Sequence, residues 1–343
     1  MNSGEIIKNI EQKAEELGRP MRFMELCGTH SGAIAEYGIK QILPKNIKLV
    51  SGPGCPVCVT DQEDVDVVVG LALAGVPIAA YGDSIGVPGN IMSLEQARQN
   101  GADVSVVYDV TQALELAKTK KNLVFWGIGF ETTAPMTAWG VKNKLTVFSS
   151  HKIFPPAMKA LMDGKIDIDG FIDPGHVSAI IGTKEYEKFK IPQVVAGFSQ
   201  ENILLAVSGL LDQIILKKPE VKNVYKSVVR EEGNKKAIKL INEVFENTDA
   251  KWRGLGVIKN SGLKIKKKYQ TYDAEVKYAD LIKNIRKNIK VKPSACRCGE
   301  ILLGKIEPAD CPLYKKVCRP DSAQGACMVS VEGTCNVAYR YDG

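Results

Sequence analysis

Residues 21–58 read MRFMELCGTHSGAIAEYGIKQILPKNIKLVSGPGCPVC. Two short apolar runs stand in this stretch, MRFMEL at 21–26 and IKLVSG at 47–52. Each stops directly at unusual chemistry: Cys27-Gly28-Thr29-His30 after the first, Gly54-Cys55-Pro56-Val57-Cys58 after the second. Runs of this length with turn residues behind them read as buried strands. The pattern recurs downstream. VPIAAYG, DVSVVY, NLVFWGIGF, LTVFSS, GFIDPG and PQVVAGF are further strand candidates, and SLEQARQNG, TQALELAKTK and FPPAMKALMDG lie between them with helical composition and period. Strand–helix alternation implies right-handed βαβ units and parallel sheets covered on both faces. Eight strands exceed what one small sheet needs, so the expected fold is α/β, with two Rossmann-like lobes and a small cysteine-rich C-terminal region.

The division drawn from this pattern has four parts. Residues 1–20 form an N-terminal helix packing on the body, since Ile6, Ile7, Ile10, Ala14 and Leu17 recur at helical spacing between Ser3, the expected N-cap, and Gly18-Arg19-Pro20. Residues 21–120 form the first α/β lobe, with the Cys27 and Cys55/Cys58 loops, and 121–255 the second. Residues 256–343 hold a basic segment and the cysteine-rich tail. Two further helices are expected, from Gln200 to about Lys217 and around Asn234–Glu246.

The chain has 343 residues, 45% hydrophobic and 25% charged, which is enough apolar material for a packed core and excludes disorder throughout. No apolar run reaches the roughly 18 residues of a membrane-spanning helix. The N-terminus lacks the apolar stretch of a signal peptide, so a cytoplasmic location is expected. The net charge of +7 is local: Lys259–Lys292 holds eleven Lys/Arg against three acids. Such a stretch is a solvated face or a docking surface for an acidic partner. No nucleic-acid-reading module accompanies it.

Chemistry-bearing residues cluster just after strand candidates. Besides Cys27, His30, Cys55 and Cys58, these are Asp83, Glu131 within GFETTAP, His151, and Asp173 and His176 within DPGH. Ligands of open parallel sheets bind beyond the carboxyl ends of strands, so a polar, thiol-lined cleft is expected. Cys55-Pro-Val-Cys58 has the spacing of a reversible dithiol, or of half a zinc site. A histidine three residues after Cys27 can stabilise a thiolate, as nucleophile or soft-metal ligand, or can simply be a hydrogen-bonded neighbour. The tail cysteines run C-x-C-x12-C-x6-C-x8-C-x7-C from Cys296 to Cys335. Paired zinc knuckles are absent, and a four-iron cluster with two thiols to spare fits the spacing better.

Together, ELCGTHSGAI (25–34), SGPGCPVCVT (51–60), GFETTAP (129–135), DPGHVSAIIG (173–182) and the CRCGEI…CP…C…PDSAQGACMVSVEGTC tail (296–335) closely resemble the hydrogenase maturation factor HypD family. The resemblance implies a redox-active scaffold on which the iron–carbonyl–dicyanide group, Fe(CN)2CO, of nickel–iron hydrogenases is assembled with the chaperone HypC and the cyanide donor HypE. It implies Cys27 as the iron-holding thiolate, His30 beside the iron, and Cys55 and Cys58 as a redox-active pair in the same cleft; Glu131, in its Gly-rich loop after a strand, is read from the sequence itself as a polar group of that cleft. The tail resembles the cluster region of ferredoxin–thioredoxin reductase. On that analogy Cys296, Cys311, Cys318 and Cys335 hold a [4Fe-4S] cluster, and Cys298 and Cys327 form a second dithiol. A general disulfide reductase and a zinc-stabilised binding module are the competing expectations.

Overall fold

The computed structural model describes residues 2–164 and 166–341. Among them the strands are β1 (Met21–Glu25), β2 (Ile47–Ser51), β3 (Ile78–Tyr81), β4 (Val104–Val107), β5 (Val124–Gly127), β6 (Thr146–Ser149), β7 (Gly170–Pro174), β8 (Gln193–Ala196), β9 (Val221–Asn223), β10 (Phe245–Trp252) and β11 (Gly256–Ile265). All eight expected strands are present. They build two parallel sheets, ordered β2-β1-β7-β8-β9 and β4-β3-β5-β6, so the chain has two α/β lobes with a cysteine-rich C-terminal region.

The lobes do not follow one another along the chain as the division at 120/121 had it. β1 pairs with β2 on one side (Phe23 opposite Leu49) and with β7 on the other (Phe23 opposite Gly170). Residues 21–51 and 170–223 therefore share the first sheet, and 78–149 form the second lobe as an insertion. The 120/121 boundary falls inside that inserted sheet, between β4 and β5. Parallel neighbours are joined by long crossovers, so adjacency in sequence does not dictate adjacency in the sheet.

The boundary at 255/256 also moves. β10 and β11 pair as an antiparallel hairpin, with Phe245 opposite Ile265 and Trp252 opposite Gly256, and the cut falls in its turn. Its exposed face is charged, which masked the strand alternation. Trp252 is fully buried, its indole N–H donates to Ser261 Oγ at 2.8 Å, and it bridges to Thr60 in the loop after Cys58. The hairpin thus braces the loop that follows Cys58.

The first helix, Ser3–Leu17, is capped by Asn2 rather than Ser3. The Asn2 side chain accepts the Glu5 N–H while Glu5 reaches back to the Asn2 N–H, satisfying two orphan donors. Ile6, Ile10 and Ala14 are buried in the same core as Ile203, Val207 and Leu210 of helix Gln200–Ile215; each Ile contributes about 2 kcal/mol. The helix ends at Gly18, whose φ of 57° suits glycine. Among the described residues no helix is long and apolar enough to cross a membrane.

Candidate functional site

β1 delivers its polypeptide to Cys27, which occupies the N-cap of helix Gly28–Glu36 with φ −147°. Two glycines bring the thiol loops into backbone contact. Gly28 N–H donates to Gly54 O at 3.1 Å, and a Cβ on Gly54 would overlap the Cys27 backbone nitrogen. The Cys27 thiol is buried and pushed up to about 12, first by burial and then by the negative charge of Glu332 and Glu25; the N–H groups of Thr29 and His30 pull the other way. Glu25 Oε2 accepts the Cys27 N–H at 2.9 Å, and Oε1 accepts the Ser31 hydroxyl. Burial pushes the Glu25 carboxyl up to about 7. Glu332, from the C-terminal region, closes the loop from outside: its Oε1 accepts the Thr29 hydroxyl at 2.7 Å, and its Cβ lies where a Gly28 side chain would start.

His30 does not act as a cation for Cys27. It is fully buried, and burial lowers it to about 4, so it is neutral at physiological pH. Its Nε2 lies 3.2 Å from Ala196 O and 3.1 Å from Gly197 O, so Nε2 carries the proton and donates. Nδ1 is buried without a partner. The ring packs on Phe198 at 4.9 Å, with exposed His176 on the same phenyl ring at 4.2 Å. The Cys–His spacing therefore supplies a backbone turn and a neutral ring.

Cys55 and Cys58 are disulfide-bonded with Cα atoms 5.2 Å apart, on the short helix Pro56–Val59 after β2. Cys298 and Cys327 form a second disulfide, with Cα atoms 6.3 Å apart and a sequence separation of 29. The two pairs meet: Cys58 Sγ lies 4.0 Å from the carbonyl oxygen of Ala326, the residue before Cys327.

The remaining tail cysteines are free, with Cys311, Cys318 and Cys335 buried and Cys296 half-buried. Burial raises the Cys335 thiol, and negative charge on Cys296, Cys318 and Cys311 raises it further, so the four sulfurs lie within electrostatic reach of one another. Gln324 N–H donates to Cys318 Sγ at 3.3 Å. Among the described residues no three His, Cys, Asp or Glu side chains group tightly enough for a single metal ion. Four thiolates are the number a four-iron cluster takes at its corners.

The carboxyl ends of the two sheets share a buried region. Tyr186 feels the charges of Asp173 and Cys27 from the first sheet and of Glu131 from the second. Glu131 Oε1 accepts the Phe154 N–H at 3.0 Å, satisfying the start of helix Phe154–Asp163. Its Oε2 is unpartnered, and burial pushes the group up to about 7. Both Asp173 oxygens are buried without partners, and burial raises this carboxyl too. Asp83 lies at the exposed rim, where Glu332 raises it further after burial. His151 is not part of this region: its ring nitrogens lie 3.2 Å from Thr137 Oγ1 and 3.3 Å from Ser149 Oγ within the second lobe.

This arrangement spans almost the whole chain, and so does its likeness to known proteins. The profile of the HypD family, described as "Hydrogenase formation hypA family", matches residues 2–342. The chain belongs to the HypD family. A hydrogenase expression/formation protein of Methanocaldococcus jannaschii is 42% identical, over 98% of this chain and 96% of that protein. Hydrogenase maturation factor HypD of Escherichia coli is 40% identical, over 98% of this chain and 94% of that protein. The HypD of Cupriavidus necator is 36% identical, over 98% and 95%.

Four residues of this HypD-family chain were not singled out by sequence reasoning. Glu25 and Glu332 lie inside the quoted motifs, in ELCGTH and VEGTC, where an acid beside a cysteine was the available signal. Tyr186 sits in TKEYEKF and Arg253 in a hairpin turn, with no local pattern to mark either. Arg253 Nε donates to Thr60 O at 2.9 Å and Nη1 donates to Gln62 Oε1, while Nη2 is buried without a partner. Its charge reaches Cys296.

Proposed function

We propose that this chain is a cytoplasmic maturation factor for nickel–iron hydrogenases, a redox-active scaffold on which the Fe(CN)2CO group is assembled with a HypC-type chaperone and a HypE-type cyanide donor. The observation that carries this reading is the convergence of one buried free thiol, two disulfide pairs and four further thiols along a single path. Cys27 holds the incoming iron, the cargo of the reaction, because a soft metal with carbonyl and cyanide ligands suits thiolate. Its thiol keeps its proton until metal arrives. Glu25, two residues away and pushed up to about 7, is placed to take that proton. Burial of the pocket limits loss of the intermediate to water.

Cys296, Cys311, Cys318 and Cys335 would hold a [4Fe-4S] cluster, which would supply electrons one at a time. The dithiols handle pairs. Reduced Cys327 attacks Cys58, the mixed disulfide is resolved by Cys298, and two electrons and two protons pass from the tail pair to Cys55 and Cys58. The contact of Cys58 with Ala326 puts these sulfurs in adjoining backbone segments. Glu131 and Asp173, protonated in their buried setting, offer O–H donors on the far side of the cleft.

The test is Cys27→Ala. Its product is expected to melt like the parent, to retain iron and acid-labile sulfide, and to abolish hydrogenase maturation, with loss of the cyanide and carbonyl infrared bands from the anaerobically purified complex. A folded variant that still supports maturation sinks the scaffold reading and leaves a general disulfide reductase, which needs only the dithiols.

A further inference from the structure

A groove of about 590 Å³ opens on the outer side of the tail, and the function above does not use it. Lys251, Arg253, Arg286 and Lys292 line it, with Glu63 as the one acidic residue of the lining, and Cys296 and Cys298 lie in its wall. Lys251 pairs with Asp61 at 3.2 Å and Arg286 with Glu63 at 2.8 Å, while Lys292 forms no ion pair among the described residues. The rim is an extended strap, residues 290–295, exposed throughout; Lys292 N–H donates to Asn90 Oδ1 at 2.9 Å, and Val291 is 81% exposed. This strap ends the segment of eleven Lys/Arg against three acids. Cys296, the least buried of the four tail thiols, stands where the strap reaches the groove.

We propose that this groove and its strap are the docking face for an acidic one-electron carrier protein. The choice of occupant follows from charge and access. Cations around an apolar residue fit an acidic protein rim. A nucleic acid is disfavoured because no aromatic side chain lines the groove for bases to stack on. A thiol reductant is disfavoured because Cys298 and Cys327 are only 5% and 1% exposed, too enclosed for attack by another protein's thiolate. The buried, unpartnered Nη2 of Arg253 adds positive charge at the same wall. Each docked carrier gives up one electron and leaves oxidised. Two encounters supply the two electrons that, with two protons from water, convert the Cys298–Cys327 disulfide to two thiols.

The proposal rests on the redox scaffold reading, which requires an outside source of electrons, but its test is separate. The full chain is purified anaerobically, its iron and sulfide are measured, and binding of an oxidised acidic ferredoxin is titrated. The affinity is expected to fall about tenfold between roughly 50 and 300 mM salt, and about tenfold again in Lys290→Glu with Lys292→Glu. Lys8→Glu, on the exposed face of the first helix, is the control and leaves binding unchanged. Salt-independent binding, equal loss in the control, or tighter binding of a DNA oligonucleotide that the same double variant abolishes would each overturn the docking face. Absence of iron and sulfide would instead count against the cluster, because binding of the oxidised carrier is read without it.

Discussion

The two disulfides occupy opposite electrical settings. On the Cys27 side lie buried acids, Glu25, Glu131 and Asp173, each raised by desolvation. Around the Cys298–Cys327 end lie free thiols, the cation Arg253 and a lysine-rich groove. A setting of protonated acids tolerates neutral thiols and can offer them hydrogen bonds. At the tail end Arg253 favours the Cys296 thiolate, while burial still raises that thiol. The pairs also differ in reach, with 3 residues of separation against 29. On the proposed scaffold reading, the tail end receives charge and the cleft end delivers it beside Cys27 as hydrogen.

Three experiments bear on that contrast, from the largest expected effect down. Cys298→Ala with Cys327→Ala removes the long cross-link and is expected to cost about 4 kcal/mol of stability by chain entropy, read from urea midpoints without reductant. The second concerns the acids. The native state holds a proton on Glu131 that the unfolded chain releases above its usual 4.5. That contribution is complete below about 4.5 and is lost as pH rises through about 7. From pH 5 to pH 8 the parent is expected to lose about 3 kcal/mol more than Glu131→Gln, which cannot titrate. Parallel pH curves would show that the cleft acids are not held protonated. The smallest effect belongs to Cys55→Ala with Cys58→Ala, about 2 kcal/mol, because its loop is short. Equal costs for the two double variants would erase the mechanical half of the comparison.

What the sequence disclosed follows the same local-versus-distant line. Apolar runs closed by Gly or Pro located the eight strands of the two parallel sheets, and Cys55-x-x-Cys58 announced a pair because both sulfurs lie on one turn. Cys298 and Cys327 carry no such mark; their pairing entered through family resemblance. Nothing in MRFMEL names GFIDP as its neighbour, since a parallel pair is fixed by packing across a long crossover. β9 has three residues and no apolar alternation, and the hairpin's outward face is charged, so both went unseen. His30 was visible as a residue beside Cys27, yet its neutrality depends on burial against Phe198 and on the Ala196 and Gly197 carbonyls, which arrive from β8 and the turn after it.

Glu332 has a consequence for biosynthesis. Ribosomes release the chain N-terminus first. Cys27 emerges early, on a strand whose second neighbour, β7, follows only after the whole inserted lobe has been made. The inserted lobe is contiguous and can close at once, while the β1 edge waits. Even then the Cys27 loop is uncovered until Glu332, 303 residues further along the chain, reaches Thr29. Cys27 is thus the first of the nine cysteines to be made and among the last to be enclosed. A product that stops before Glu332 lacks the carboxylate that covers the Cys27 loop.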